Sequence, residues 1–194
     1  AEGGITSNHP TPVINKYSQG NFILRTANSS SNNRGFTGIF NQYAGTTIAD
    51  SDKFFNGTNN ITGGELRVHG ANMSNLKVTV GENALFTFLS TSTSEIEMKL
   101  GENVSVAGDV KFGADESIGT AKYHLKDDVT AKTITIQDSV LTTENETFEG
   151  AYIMGENVTL NMQDGKVTDR VKFTNLTGSA NLKIDADIVN GANG

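Results

Sequence analysis

Pairs of acids stand two residues apart at several places in this chain, among them Asp50 with Asp52, Glu95 with Glu97, and Asp185 with Asp187. On an extended strand that spacing puts both carboxylates on one face, about 6–7 Å apart. Two carboxyl groups so placed, joined by an Arg or Lys base or by a general acid, are the equipment for acid–base cleavage of a polysaccharide. Arginine is scarce, however, and none of Arg25, Arg34, Arg67 and Arg170 stands beside a pair in a way that completes such a site. Strand alternation generates acid pairs by itself in an acidic chain, so the expectation is a solvated face. Of the three histidines, His69 and His124 each lie one residue from an inward strand position and are expected to face solvent. His9, beside Pro10, is a loop residue. No His-Glu-x-x-His, paired-His or Cys/His arrangement accompanies them. Nucleophile elbows, phosphate loops and dinucleotide fingerprints are absent too. No catalytic residue, cofactor or metal-ligand set is therefore assigned.

The acids recur in one short phrase. It reads Val80-Gly-Glu-Asn-Ala84, Leu100-Gly-Glu-Asn-Val104, Leu125-Lys-Asp-Asp-Val129 and Met154-Gly-Glu-Asn-Val158. Stacked directly, Glu82, Glu102, Asp127 and Glu156 would repel by about 0.8 kcal/mol per neighbouring pair at ~5 Å in water. An exposed corner tolerates that cost, so the acids are expected outside. Asn83, Asn103, Asp128 and Asn157 follow them, and stacked amides can hydrogen-bond between layers. Calcium between such corners is a minor option, because the Gly-Gly-x-Gly-x-Asp nonapeptide is missing. The sequons at Asn60, Asn103 and Asn157 are read as corner asparagines followed by strand residues.

What positions these residues is alternation. Leu76, Val78 and Val80 lead into the first phrase, and Ala84, Phe86 and Phe88 leave it. Ile96, Met98 and Leu100 precede the second, with Tyr123 and Leu125 before the third. Period-two patterning means strands, and an irregular recurrence of roughly 20–30 residues means a stacked repeat. Glycine (21 residues) and abundant Asn, Ser and Thr supply tight turns, whereas no amphipathic helix is readable. Leu85 and Leu89 have the opposite parity to Phe86 and Phe88. That strand is therefore apolar on both faces and is expected to lie under a loop, with residues 1–35 as the lid, or to form an interaction patch.

Composition narrows the rest. The 194 residues carry 15 basic and 22 acidic side chains, net −7, with no basic cluster for a nucleic-acid backbone or anionic lipid. No apolar run reaches the ~18 residues of a membrane-spanning helix. Without cysteine there is no disulfide framework, so stability must come from a long buried core. Ala1-Glu-Gly-Gly has neither a basic nor an apolar leader segment, so any signal peptide is expected to have been removed already.

Residues 1–35, with Pro10, Pro12 and the polar run Asn28–Gly35, are expected to be an N-terminal cap or an irregular segment. Residues 36–194 are expected to be successive rungs. A β-sandwich also has short alternating strands, but it favours two-residue hairpin turns. A right-handed parallel β-helix, a β-solenoid, is the expected fold, with the sandwich as the alternative.

Two stretches, Phe54-Phe-Asn-Gly-Thr-Asn-Asn-Ile-Thr-Gly-Gly-Glu-Leu66 and Gly178-Ser-Ala-Asn-Leu-Lys-Ile-Asp-Ala-Asp-Ile-Val-Asn-Gly191, resemble passenger segments of bacterial autotransporters (type V secretion). The resemblance covers about residues 36–194. It implies a secreted or cell-surface β-helix, an adhesin or a stalk, whose partner is a host surface protein or glycan. It also implies that this chain is a fragment of a longer passenger held in the outer membrane by a barrel. No catalytic residue belongs to the matching stretches. The alternatives are a polysaccharide-binding or polysaccharide-degrading β-helix and a phage or virion fibre segment.

Overall fold

Short runs in which every second side chain is buried recur through the regular structure. The structure is a computed structural model and describes residues 11–24, 37–49, 57–69, 77–98, 104–126, 128–143, 148–155, 157–162, 171–177 and 183–186. These residues contain strands and no helix. Gly64–Val68 shows the rule: Leu66 and Val68 are buried, while Glu65 and Arg67 between them face outward. Alternating side chains of a pleated strand point to opposite faces, so one apolar face is buried and the other stays polar.

The strands form three sheets. Sheet 1 holds β1 (Val13–Lys16), β3 (Ile39–Gln42), β5 (Thr58–Ile61), β7 (Lys77–Val80) and β10 (Val104–Val106), in that order. Sheet 2 runs from β2 (Asn21–Leu24) through β4 (Thr46–Ala49), β6 (Gly64–Val68), β8 (Ala84–Ser90), β11 (Asp109–Ala114), β13 (Val129–Ile136) and β15 (Phe148–Met154) to β17 (Val171–Thr177). Sheet 3 stacks β9 (Glu95–Met98), β12 (Ala121–Leu125), β14 (Ser139–Thr143), β16 (Thr159–Met162) and β18 (Lys183–Ala186). All pairings are parallel, and each strand pairs with the one that next returns to its sheet. This departs from the antiparallel hairpins of the sandwich alternative. All three sheets are traversed in sequence by β7–β8–β9 and by β10–β11–β12. Strand pairing begins at Val13, well before residue 36, because β1 and β2 are the end strands of their sheets.

Parallel register builds the core as columns. In sheet 2, Leu66, Phe86, Val110 and Ile134 lie one above another, beside Val68, Phe88, Phe112 and Ile136. All eight are at most 1% exposed. Removing a side chain of this size from water contributes about 1.5–3 kcal/mol. Stacked Phe88 and Phe112 rings sit 5.1 Å apart, and Tyr123 meets Phe112 edge-on at 5.5 Å. The buried Tyr123 hydroxyl accepts the Ser90 N–H at 2.8 Å and donates to the Gly113 carbonyl at 2.5 Å. Burial raises its pKa far above the ordinary tyrosine value, so it stays neutral. One phenol thereby ties the end of β8 to β11 from a strand of sheet 3.

The repeated phrase marks corners, but its copies do not stack. Glu82 and Asn83 turn the chain from β7 into β8, out of sheet 1. Lys126 leaves β12 of sheet 3, whereas Gly155 leaves β15 of sheet 2. Gly81 therefore lies beneath Gly108, whose added Cβ would strike the Gly81 carbonyl oxygen. Asn157 sits over Asp138, donating to its carboxylate at 2.9 Å, and both have left-handed backbones (φ 55° and 47°). The expectation that the phrase stacks on itself is thus corrected: Val80 lies beside Val106, Leu125 beside Met98 and Met154 beside Ile136. Residues 102, 127 and 156 themselves lie outside the described residues. The inward columns set the register, and a corner asks only for residues that tolerate a tight turn, so one wording serves different corners.

Tyr123→Phe keeps the ring packing but leaves the Ser90 N–H and the Gly113 carbonyl without their shared partner. A loss of about 1–3 kcal/mol is expected in urea unfolding monitored by circular dichroism. An unchanged midpoint would show that the phenol does not hold the two strands.

Candidate functional site

Outward side chains of a parallel sheet form columns as regular as the inward ones. On the outer face of sheet 1, the chain writes Val13-Ile-Asn-Lys-Tyr17 and then Ile39-Phe-Asn-Gln-Tyr43 in register above it. Asn15, Asn41 and Asn60 consequently stack as an amide ladder. The Asn41 Nδ2 donates to Asn15 Oδ1 at 2.8 Å, and the Asn60 Nδ2 donates to Asn41 Oδ1 at 2.8 Å. Tyr17 and Tyr43 stack next to it with ring centroids 4.6 Å apart and planes within 4°. Val13, Tyr17 and Tyr43 are 52%, 67% and 45% exposed, a concentration of apolar surface that no other described face matches. In β5 the same positions hold Thr58, Asn60 and Thr62.

Buried polar groups behind this face fix its geometry. Lys16 and Gln42 occupy inward positions where later strands place Ile61 and Val80. The Lys16 ammonium donates to the Ser18 and Ala44 carbonyls at 2.8 and 2.7 Å, joining the turn after Tyr17 to the turn after Tyr43. The Gln42 amide lies 3.0–3.2 Å from the Gly45, Gly63 and Glu65 carbonyls, and its oxygen accepts the Thr47 hydroxyl at 2.6 Å. Gly45 and Gly64 turn beside these groups with φ of 71° and 77°, a backbone that a Cβ disfavours. The sequence expected stacked amides at the Gly-Glu-Asn corners, whereas this ladder crosses the outer face of three neighbouring strands. The signal that would have found it is the near-identical pentads 13–17 and 39–43.

The residues singled out by chemistry are dispersed. Glu95 and Glu97 are exposed on the outer face of sheet 3. Asp50, Asp52, Asp187 and His9 lie outside the described residues, as does the side chain of Asp185. Of the four arginines, Arg67 is engaged within its own strand, donating to Glu65 at 2.9 and 3.1 Å on the face of sheet 2. The other three, Arg25, Arg34 and Arg170, fall outside the described residues. His124 and His69 occupy outward positions, but contrary to the expectation they do not face solvent freely: the Nε2 of each is buried. His124 Nδ1 lies 3.6 Å from Glu95, because register carries β12 directly over β9. Asp115 accepts the hydroxyl and N–H of Ser117, and these bonds hold its carboxyl below the usual carboxylate range. Among the described residues no three His, Cys, Asp or Glu gather in a way that suits a metal ion.

Two apolar features remain. The outer face of β8 is half-buried at Leu85 and Leu89 and closed at Thr87, which is 2% exposed. The expected lid does not supply that cover within the described residues, since β2 lies three strands away from β8 in sheet 2. In register, Arg67 and Lys111 flank Thr87. Separately, sheet 1 ends at β10, and a recess of about 370 Å³ opens there above Phe86, Phe88 and Val110, rimmed by Ser105, Asp128 and Thr130. Its phenylalanine floor is sealed from water, at most 1% exposed. No family model, curated protein or solved structure matches the chain.

Burial lowers the pKa of Lys16 below the ordinary lysine value. The unfolded chain then binds its proton more firmly than the fold does, so the cost of burying the ammonium fades as pH rises toward about 10.4. Relative to a Lys16→Met variant, the native chain should gain stability between neutral pH and that value. Urea midpoints of both proteins across the range provide the comparison, and a constant difference would contradict it.

Proposed function

We propose that this chain is a non-catalytic, adhesive or structural segment of a secreted or surface-displayed right-handed parallel β-helix, of the autotransporter-passenger kind. It works by presenting its repetitive outer faces to a host surface protein or glycan. The observation that carries the reading is the pairing pattern: strands return to three sheets in turn and stack in parallel register. Seven strand-to-strand steps carry sheet 2 through about 34 Å, a long surface for a short chain. Short crossovers between parallel strands favour the right hand.

Several features support binding over catalysis. The described acids divide between the faces of sheets 2 and 3 and the turns, and they form no cluster in a groove. The most exposed apolar side chains gather on sheet 1, on a face with polar groups between them. With a net charge of −7, attraction to phosphate backbones or anionic lipid is disfavoured. Among the described residues no helix is long and apolar enough to cross a membrane.

Antibodies raised against the chain should label intact cells of the bacterium that encodes it, or detect it in the medium. Brief protease treatment of intact cells should abolish the cell-bound signal. Confinement of the protein to the cytosol would sink the reading.

A further inference from the structure

We infer that the outer face of β1, β3 and β5 is a binding site for a neutral polysaccharide, laid across the Asn15–Asn41–Asn60 ladder and held at one side by the Tyr17–Tyr43 stack. This rests on the adhesive reading above and names the ligand class and the face.

The first argument is charge. The nine outward positions of these three tiers are Val13, Asn15 and Tyr17, then Ile39, Asn41 and Tyr43, then Thr58, Asn60 and Thr62; none is charged. The outer faces of the other two sheets carry Glu65, Arg67, Asp109 and Lys111, and Glu95, Glu97 and Lys122. An uncharged face on a chain of net charge −7 suits a ligand that brings no charge of its own.

The second argument is hydrogen bonding. Within the ladder Asn15 uses one oxygen lone pair, Asn60 one N–H and Asn41 one of each, so every amide keeps further donor and acceptor capacity on this outer face. A row that both donates and accepts, without charge, matches sugar hydroxyls, which do the same. Tyr17 and Tyr43 add rigid amphipathic surface at small entropic cost, on which the C–H faces of sugar rings can rest.

The third argument is repetition. The trio of aliphatic, amide and tyrosine recurs from β1 to β3 by a simple translation of about 4.8 Å, with the trios' members about 6.6 Å apart along each strand. A polymer has a translational repeat of its own and can meet successive tiers with similar contacts, which a single folded epitope does not offer. The Lys16 and Gln42 clamps hold the turns that carry both tyrosines, so little ordering remains to be done on binding.

Affinity electrophoresis of the intact chain tests this, with soluble β-glucan, galactomannan and an α-glucan in the gel and dextran sulfate as the charged control. Retardation by at least one neutral polymer and none by dextran sulfate is expected. The exposed double substitution Tyr17→Ser with Tyr43→Ser, and separately Asn41→Asp, should weaken retardation at least tenfold. Ile153→Ser, on the face of sheet 2, should leave it unchanged. Circular dichroism and the urea midpoint establish that each variant is folded. No retardation by any neutral polymer overturns the inference, and so does equal retardation of a folded double variant. Binding of the native chain to host cells, measured alongside, separates the two readings: cell binding that survives the double substitution keeps the adhesive function and discards this face.

Discussion

Parallel register is the constraint on which everything else depends. A strand that pairs with its successor in register must place each inward residue over another inward residue about 4.8 Å away. The phenylalanine, leucine and valine columns of sheet 2 meet that demand with apolar side chains that pack along the stack as well as across it. A slip of one residue would turn the whole column outward, so the core itself holds the register. In a chain without cysteine, this burial carries the stability that a disulfide framework would otherwise share.

The same constraint writes order onto the surface. Once Phe40 is set over Ile14, Asn41 has to lie over Asn15 and Tyr43 over Tyr17. Neither the amide ladder nor the tyrosine stack needs a contact of its own to be placed. Each is the outer image of an inner column, which is why a sheet of this kind can present a regular face without a folded loop or a cleft. Several of the polar side chains in the interior reach main-chain groups of neighbouring passes: Lys16, Gln42, Asn59 and Tyr123 all do so. Such bonds offset the desolvation of the polar groups, and they fix corners that apolar packing alone would leave loose.

Polar side chains that share an outer face become neighbours by stacking, not by sequence. Glu95 meets His124 because β12 lies over β9, and Asn157 meets Asp138 because β16 begins over β14. Residues adjacent in a motif are correspondingly sent to different corners. Chemistry read from linear spacing is therefore informative within a strand, where Arg67 does bridge to Glu65, and uninformative between strands until the register is known.

By itself the sequence determined the strands and their faces. Alternation at Leu66 and Val68, at Val78 and Val80, and at Phe86 and Phe88 separates inward from outward residues, because a pleated strand allows no other arrangement. It determined the corners as well, since glycine and asparagine tolerate backbones that other residues resist. Which corner lies over which was decided only in three dimensions. The Gly-Glu-Asn phrase gave a plausible register and the wrong one, because a turn is satisfied locally. Register is a sum over whole columns of buried side chains, and the insertions between strands shift that sum from pass to pass. The Asn15–Asn41–Asn60 ladder, whose members stand far apart in the chain, exists only as a product of that sum.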